Sequence, residues 1–144
     1  MSGDWQNVDY SLLGPNHIEA YRESDGEVGY VWNGAPSLLL TTIGRKSGEP
    51  RTSALIFARD GGAYIVVGSV GGMPKHPAWY LNLLANPRAT IQVRADVIDV
   101  EAHVATDAEK PRLWKIVNEV WPNYEVYQSR TERTIPVIVL TPTS

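Results

Sequence analysis

The chain has 144 residues, of which 43% are hydrophobic and 20% are charged, and its net charge at pH 7 is −3. This length and this composition are typical of one soluble globular domain. The calculated pI near 5.6 argues against general nucleic-acid binding, and the absence of cysteine excludes disulfides, thiolate metal sites and cysteine nucleophiles.

The N-terminal part of the chain is predicted to form a flexible arm and then a short helix. Residues 1–15 form the arm, which lacks the basic and apolar regions of a signal peptide. The helix begins at Asn16 and ends before the turn at residues 24–29. No apolar run approaches the roughly 18 residues that cross a bilayer. We therefore expect a cytoplasmic protein, with no membrane association indicated.

Three strands are predicted next, at residues 37–43, 51–58 and 63–69. The first two are apolar on both faces, which favours central positions in a sheet. The sequence Asp60-Gly61-Gly62 is a hairpin signal between the second and third strands. We therefore expect an antiparallel meander of three strands, with a basic loop at one end.

The following segment changes from a helical pattern to a strand pattern. Pro77 suits the first position of a helix, and the sequence Asn86-Pro87 ends that helix. Residues 98–104 then alternate between apolar and polar side chains. This period of two predicts a strand with one buried face.

The C-terminal part contains one more amphipathic helix and a last strand. Thr106 and Glu109 have the spacing of a capping box at the start of the helix. The last strand covers residues 134–142, in which Pro136 indicates an edge or a bulge. The count is about six strands and three or four short helices. It predicts a single domain over residues 16–144, a mainly antiparallel β-sheet with flanking helices.

The loop between the first two strands is unusually basic for an acidic chain. It contains Arg45, Lys46 and Arg51 together with Ser47 and Gly48. These residues offer point charge, planar guanidinium groups, a hydroxyl and exposed backbone N–H groups, which is the donor set of phosphate sites. Neither a Walker A motif nor GxGxxG is present. Spacing alone leaves two alternatives open, a solvated turn and an anion site.

Redox chemistry in this chain would need a bound organic cofactor. The histidines His17, His76 and His103 lie far apart and without metal-binding spacing, so we expect no metal site. The chain has five Trp and seven Tyr against one Phe. Because Trp and Tyr suit half-buried walls, this imbalance favours a ligand cavity.

Three segments, taken together and in this order, carry a family resemblance. They are "TTIGRKSGEPR", "GSVGGMPKHPAWYLNLLANP" and "YEVYQSRTERTIPVIVLTP". The chain resembles the deazaflavin-dependent nitroreductase family over about residues 16–142. The resemblance implies an FMN-binding-like split β-barrel and the use of coenzyme F-420, an 8-hydroxy-5-deazaflavin with a phospholactyl-polyglutamate tail.

The resemblance also implies where the coenzyme binds. The residues implied at the phosphate are Arg45, Lys46, Ser47, Gly48, Arg51 and Ser53. The residues implied along the deazaflavin ring are Gly68, Ser69, Val70, Ala78, Trp79 and Asn82. Val70 stands where the family often has a lysine, so one contact to the tail is missing. The amide of Asn82 has a second interpretation, which is a hydrogen bond within the fold.

The activity implied by the resemblance is hydride transfer from reduced coenzyme F-420 to a quinone, a nitroaromatic or a similar electron-poor acceptor. Tyr124 and Tyr127 are the candidate catalytic residues, which would donate a proton or orient the substrate. Trp32 and Trp121 are candidate walls for that acceptor. In some family members a tyrosine stands at the position of Trp121.

Other interpretations remain open from the sequence. Tyr124 and Tyr127 could only pack over the mouth of the barrel. The same barrel could serve a non-catalytic carrier of the deazaflavin, or a protein that binds FMN. If the protein is an enzyme, its partner is a small-molecule electron acceptor, and both a monomer and a homodimer are consistent with the sequence.

Overall fold

The computed structural model describes residues 15–32, 34–69 and 76–143, and these ranges contain four helices and eight strands. The helices are α1 (Pro15–Glu23), α2 (Ala78–Ala85), α3 (Lys110–Val120) and α4 (Asn123–Ser129). The strands are β1 (Val31–Trp32), β2 (Ala35–Ile43), β3 (Pro50–Ile56), β4 (Ala58–Asp60), β5 (Ala63–Val67), β6 (Arg88–Val93), β7 (Asp96–Val104) and β8 (Val137–Pro142). Residues 1–14 of the predicted arm lie outside the described ranges.

The strands form one antiparallel sheet that curls into a half-barrel. Its order is β1-β2-β6-β7-β8-β5-β4, and β3 pairs with β2 beside this path. The pairing of β5 with β8 joins residues far apart in the chain, with Tyr64 opposite Leu140 and Val67 opposite Val137. The predicted fold class is therefore confirmed, a mainly antiparallel sheet with helices around it.

Hydrophobic side chains are buried on both faces of the central strands. Ile65 and Val67 of β5 belong to one core cluster, whereas Tyr64 and Val66 belong to another. Because successive side chains of a strand point to opposite faces, each face needs its own cover. Helices α3 and α4 contribute to the first cluster, and α2 contributes to the second.

The predicted three-stranded meander is wrong. The strand predicted over 51–58 ends at Ile56, and the backbone N–H of Phe57 donates to Pro36 O at 3.2 Å. After this bend, β4 forms a hairpin with β5, whose other neighbour is β8. Strand β2 is central as predicted, but β3 pairs with β2 alone among the described strands, so its predicted central position is also wrong.

Local signals of chain reversal and helix start are confirmed. The turn at Asp60-Gly61-Gly62 places Asp60 opposite Ala63 in the hairpin of β4 and β5. In the capping box, Thr106 N donates to Glu109 Oε1 at 2.9 Å and Glu109 N donates to Thr106 Oγ1 at 3.2 Å. Helix α3 follows directly at Lys110.

The last strand lies inside the sheet and not at its edge. Strand β8 pairs with β5 on one side and with β7 on the other. Pro136 directly precedes the first strand residue, Val137, where it removes no ladder hydrogen bond. The predicted edge or bulge at Pro136 is therefore wrong. No helix in the described part of the chain is long and apolar enough to cross a membrane.

Candidate functional site

The basic loop between β2 and β3 is a closed turn with defined backbone contacts. Gly44 N donates to Glu49 O at 2.8 Å, and Gly48 N donates to Gly44 O at 2.8 Å. Gly48 has φ of +72°, which favours glycine. A Cβ on Gly44 would lie 2.6 Å from Ser47 Oγ and 3.2 Å from Glu49 O, so a larger residue would require Ser47 to rotate and the loop to shift. These contacts fix the direction in which the loop presents its side chains.

A cleft of about 240 Å³ lies between this loop, the first residues of β3 and the N-terminus of α2. Its walls are Gly44, Arg45, Lys46, Ser47, Arg51, Ser53, Ala78, Trp79 and Asn82. All of these except Gly44 were predicted as cofactor-binding residues from the sequence. The fold thus brings two distant segments of the predicted site to one cleft, and their role in binding stays a prediction.

Asn82 joins helix α2 to the basic loop. Its side chain is buried, and its Oδ1 accepts hydrogen bonds from Arg45 N at 3.2 Å and from the Arg45 guanidinium at 2.9 Å. Its Nδ2 donates to Thr42 Oγ1 at 3.1 Å, at the end of β2. The geometry supports the interpretation in which Asn82 bonds within the fold. Through these bonds it positions Arg45 at the cleft.

The cleft is cationic although the whole chain is acidic. Arg45, Lys46 and Arg51 are exposed, and none of them has a carboxylate within ion-pair distance among the described residues. Arg51 makes one long contact, from Nη2 to Ser47 Oγ at 3.5 Å. The N-terminus of α2, at Ala78, adds the partial positive charge of its free N–H groups. This combination suits an anionic ligand.

Gly68 lies where three elements meet. Its N–H donates to Pro136 O at 3.0 Å, just before β8. A Cβ on Gly68 would lie 3.0 Å from Pro136 Cγ and 3.4 Å from Pro77 Cγ. Ser69 beside it is buried. The predicted ring segment therefore packs against the start of α2, whereas its third member, Val70, lies outside the described residues.

Arg133 and His76 belong to this region and were not predicted from the sequence. The guanidinium of Arg133 donates to Gly68 O at 3.0 Å, to Ser69 O at 2.7 Å and to His76 Nδ1 at 3.1 Å. Neither residue has a local spacing that signals a site, because the contacts join positions more than 50 apart in sequence.

The four predicted catalytic and substrate residues form one aromatic cluster. Trp32 and Trp121 have ring centroids 5.3 Å apart, and the rings of Tyr124 and Tyr127 are 6.2 Å apart in an edge-to-face arrangement. Trp121 Nε1 donates to Tyr127 Oη at 3.3 Å. All four side chains are buried in the core cluster that also contains Val67, the residue before Gly68.

Burial also affects the ionisation of the cluster. Desolvation raises the pKa of the Tyr124 phenol well above its ordinary value, and the neighbouring Tyr127 contributes to the shift. The phenol is protonated at neutral pH with or without this shift, and the raised pKa makes it a weaker proton donor. A catalytic role of Tyr124 or Tyr127 stays a prediction, because packing alone also accounts for their positions.

Among the described residues, no group of three or more His, Asp or Glu side chains could hold a metal ion.

A family model described as F420H(2)-dependent quinone reductase matches residues 15–142. The chain belongs to this family. The predicted family, its split β-barrel, the coenzyme F-420 and the reductase class of enzyme are therefore confirmed.

Related proteins agree with this assignment over most of the chain. An F420H(2)-dependent quinone reductase of Mycobacterium tuberculosis strain H37Rv is 50% identical over 129 residues, which is 87% of each chain. A solved structure of an F420-H2 dependent reductase is 40% identical with a TM-score of 0.68, and the match covers 73% of this chain and 93% of that chain. A further solved structure, described as a domain-swapped dimer, is 34% identical with a TM-score of 0.71, covering 97% and 99%.

Proposed function

We propose that this protein catalyses hydride transfer from reduced coenzyme F-420 to a quinone, with the cleft beside the basic loop holding the coenzyme tail. The observation that carries the proposal is the cationic cleft formed by the basic loop and α2, in a chain of this family. The tail of the coenzyme is polyanionic, with a phosphate and glutamate carboxylates. Exposed cations without a carboxylate partner among the described residues suit such a ligand, because charge-assisted hydrogen bonds are the strongest kind.

In this proposal the residues of the cleft have different roles in binding the phosphate. Lys46 and Arg51 bind the phosphate directly, and Arg45 joins them while Asn82 holds its guanidinium in place. Ser47 contributes a hydroxyl on the same wall, as does Ser53. A cationic cleft also raises the association rate of an anionic ligand, even though the chain carries a net charge of −3.

The deazaflavin ring is proposed to lie along Gly68, Ser69, Ala78 and Trp79. When bound and reduced, the deazaflavin supplies the hydride. Gly68 has no side chain, so the backbone at the end of β5 packs closely against Pro136 and Pro77, which holds this segment beside the start of α2. Trp79 is a buried residue in the wall of the cleft, where its indole would give the ring an apolar surface. The task of these residues is to orient the ring and to keep the site dry.

The acceptor is proposed to lie on the side of the aromatic cluster. Reduction of a quinone to a quinol needs a proton as well as a hydride, and Tyr124 or Tyr127 would supply that proton. Tyr127 accepts a hydrogen bond from Trp121 Nε1, which leaves its own hydroxyl proton free to be donated elsewhere. Trp32 and Trp121 would form apolar walls for the acceptor. The cytoplasmic location expected from the sequence stays a prediction.

Two measurements on the purified protein test this proposal. The first is a titration with oxidised coenzyme F-420 in competition with FMN, in which the deazaflavin should bind far more tightly. The second is turnover of the reduced coenzyme with a naphthoquinone, with a nitroaromatic as a second acceptor. Tighter binding of FMN would contradict the coenzyme assignment. Tight coenzyme binding without turnover of any acceptor would indicate a carrier and not an enzyme.

A further inference from the structure

The planar guanidinium of Arg133 donates to three acceptors among the described residues, which belong to two segments of the proposed ring site. Nη2 donates to Ser69 O at 2.7 Å, and Nη1 donates to Gly68 O at 3.0 Å and to His76 Nδ1 at 3.1 Å. Gly68 and Ser69 directly follow β5. His76 lies two residues before the first residue of α2. A guanidinium presents its donors in a fixed fork, so these contacts also fix the angle between the two segments.

The contact with Arg133 determines the protonation state of His76. A guanidinium stays protonated and can only donate, so His76 Nδ1 must accept and its proton lies on Nε2. Burial lowers the pKa of His76, and the charge of Arg133 lowers it further. The other titratable group facing His76 among the described residues is Tyr80 of α2, with ring centroids 4.8 Å apart. His76 is therefore neutral at pH 7.

The backbone of Arg133 is in turn held by helix α4. Gln128 Nε2 donates to Arg133 O at 2.8 Å, and Gln128 Oε1 accepts from Ile135 N at 3.0 Å. Gln128 directly follows Tyr127 in the same helix. Arg133 thus connects two regions: its backbone is bonded to the helix that carries the predicted proton donors, and its guanidinium is bonded to the backbone at Gly68 and Ser69.

We propose that Arg133 is a positioning residue of the coenzyme site, which sets the backbone of Gly68–Ser69 and neutral His76 for the deazaflavin ring. The inference rests on the proposed function. Half-burying a guanidinium requires good partners, and here its partners include two backbone carbonyls and one imidazole at a single junction. Because Arg133 acts at the ring end, its loss should affect ring binding and not the interactions of the tail.

The test is a coenzyme titration of Arg133→Met, which keeps the length of the side chain and removes its donors. We expect the Kd to rise about 10-fold or more, because displacement of a binding segment by about 1 Å can cost that much. The fold-change should be the same for the full coenzyme and for a deazaflavin fragment without the phosphate tail. Arg59→Met is the matched control, because Arg59 is exposed in β4 and donates to Ala63 O and Gly61 O, at the opposite end of β5 from Gly68; it should bind normally.

A second pair of variants separates positioning from a general loss of structure. His76→Asn keeps an acceptor for Arg133 near the position of Nδ1, whereas His76→Leu removes it, so His76→Asn should lose less affinity for the fragment than His76→Leu does. If Arg133→Met does not fold, Arg133→Lys replaces it, since an ammonium keeps the charge but cannot reproduce the fork. The affinity of Arg133→Lys for the deazaflavin fragment should fall several-fold relative to wild type.

The outcomes distinguish this inference from the proposed function. Failure of the wild-type protein to bind either ligand would contradict the proposed function and the inference together. Normal wild-type binding with an unchanged fragment Kd in Arg133→Met, or in Arg133→Lys where that variant stands in, would overturn the inference alone. So would a loss confined to the full coenzyme, which would place Arg133 among the residues that bind the tail.

Discussion

Asn82 on helix α2 accepts two hydrogen bonds from Arg45 of the basic loop, at 3.2 Å from the backbone and at 2.9 Å from the guanidinium. The two residues are 37 positions apart in the sequence. The same amide donates to Thr42 at the end of β2, so one side chain joins the helix, the strand and the loop. This side chain therefore holds the loop against the helix and directs one of the cations of the cleft.

Two substitutions of Asn82 should separate its structural task from the charge of the cleft. Asn82→Leu leaves the Arg45 donors and Thr42 without their partner and should lower the free energy of unfolding by roughly 1–3 kcal/mol. Asn82→Asp keeps an acceptor for Arg45 but adds a negative charge at the wall. We expect its coenzyme affinity to fall more than its stability. Urea unfolding and coenzyme titration measure both, and wild-type affinity in both variants would contradict this role.

Gly44 offers a test of loop shape that changes no charge. In Gly44→Ala the new Cβ would meet Ser47 Oγ at 2.6 Å and Glu49 O at 3.2 Å, so Ser47 must rotate and the loop backbone must shift. We expect coenzyme affinity to fall at least several-fold, since a displaced loop misplaces its donors. Gly62→Ala is the matched control, because a Cβ at that residue would have nothing within 4 Å and its φ is not positive. Equal affinity in the two variants would show that loop shape is unimportant for binding.

Local patterns predicted the elements of this fold better than their pairing. The turn at residues 60–62 and the capping box at Thr106 were correct because each depends on side chains a few residues apart. The meander was wrong because the neighbour of β5 is decided by the distant strand β8 and by the bend at Phe57. The centrality of β8 could not be inferred either, since the proline before it resembles an edge signal.

For the candidate site, too, residues that are adjacent in sequence could be predicted, whereas residues joined only by tertiary contacts could not. The basic loop was found because its cations are adjacent in sequence, and family resemblance added Ala78, Trp79 and Asn82 of α2. For Asn82 the sequence left two interpretations open, and only the distances to Arg45 and Thr42 favour the structural one. Arg133 was missed because an isolated arginine has no pattern. Its importance follows from tertiary contacts alone.

The tyrosines of α4 give a prediction about chemistry. Phe substitution keeps the packing of each buried ring and deletes only its hydroxyl. We expect at least one of Tyr124→Phe and Tyr127→Phe to lower kcat by roughly 10-fold or more, because proton donation acts in the transition state. The coenzyme Kd should not change. Steady-state quinone reduction beside a coenzyme titration tests each variant, and near-normal kcat in both would make solvent the proton source.

The buried imidazole of His17 and the half-buried imidazole of His76 predict a loss of stability in mild acid. The pKa values of His76 and His17 are lowered from 6.5 by burial, so the folded state prefers their neutral forms. The unfolded chain then binds more protons between the folded and unfolded pKa values. The contribution of these two imidazoles to the free energy of unfolding should therefore be fully present above about pH 6.5. It should decrease as the pH falls below that value.

His76→Asn separates the contribution of His76 from that of His17. This variant removes one titrating group while it keeps an acceptor for Arg133. The free energy of unfolding, followed by denaturant titration across the acid range, should decrease less steeply with falling pH than in wild type. Identical pH dependence in the two proteins would show that the contact between Arg133 and His76 does not hold the imidazole neutral.

The proposed function depends above all on the basic loop, which should bind the anionic tail of coenzyme F-420. The most direct test is the affinity of Lys46→Ala for the full coenzyme and for a deazaflavin fragment without the phosphate tail. Lys46 lines the cleft without a carboxylate partner among the described residues, so its removal should leave stability unchanged. Lys115→Ala, at an exposed position of α3, controls for the loss of one charge elsewhere.

We expect Lys46→Ala to weaken binding of the full coenzyme by roughly 1.5–3 kcal/mol, the scale of a hydrogen bond to a charged group. Binding of the fragment should change little, and Lys115→Ala should bind both ligands normally. The difference should shrink at high salt, because exposed charges are screened. An equal loss of affinity for the full coenzyme and for the fragment in Lys46→Ala would contradict the assignment of the loop to the tail.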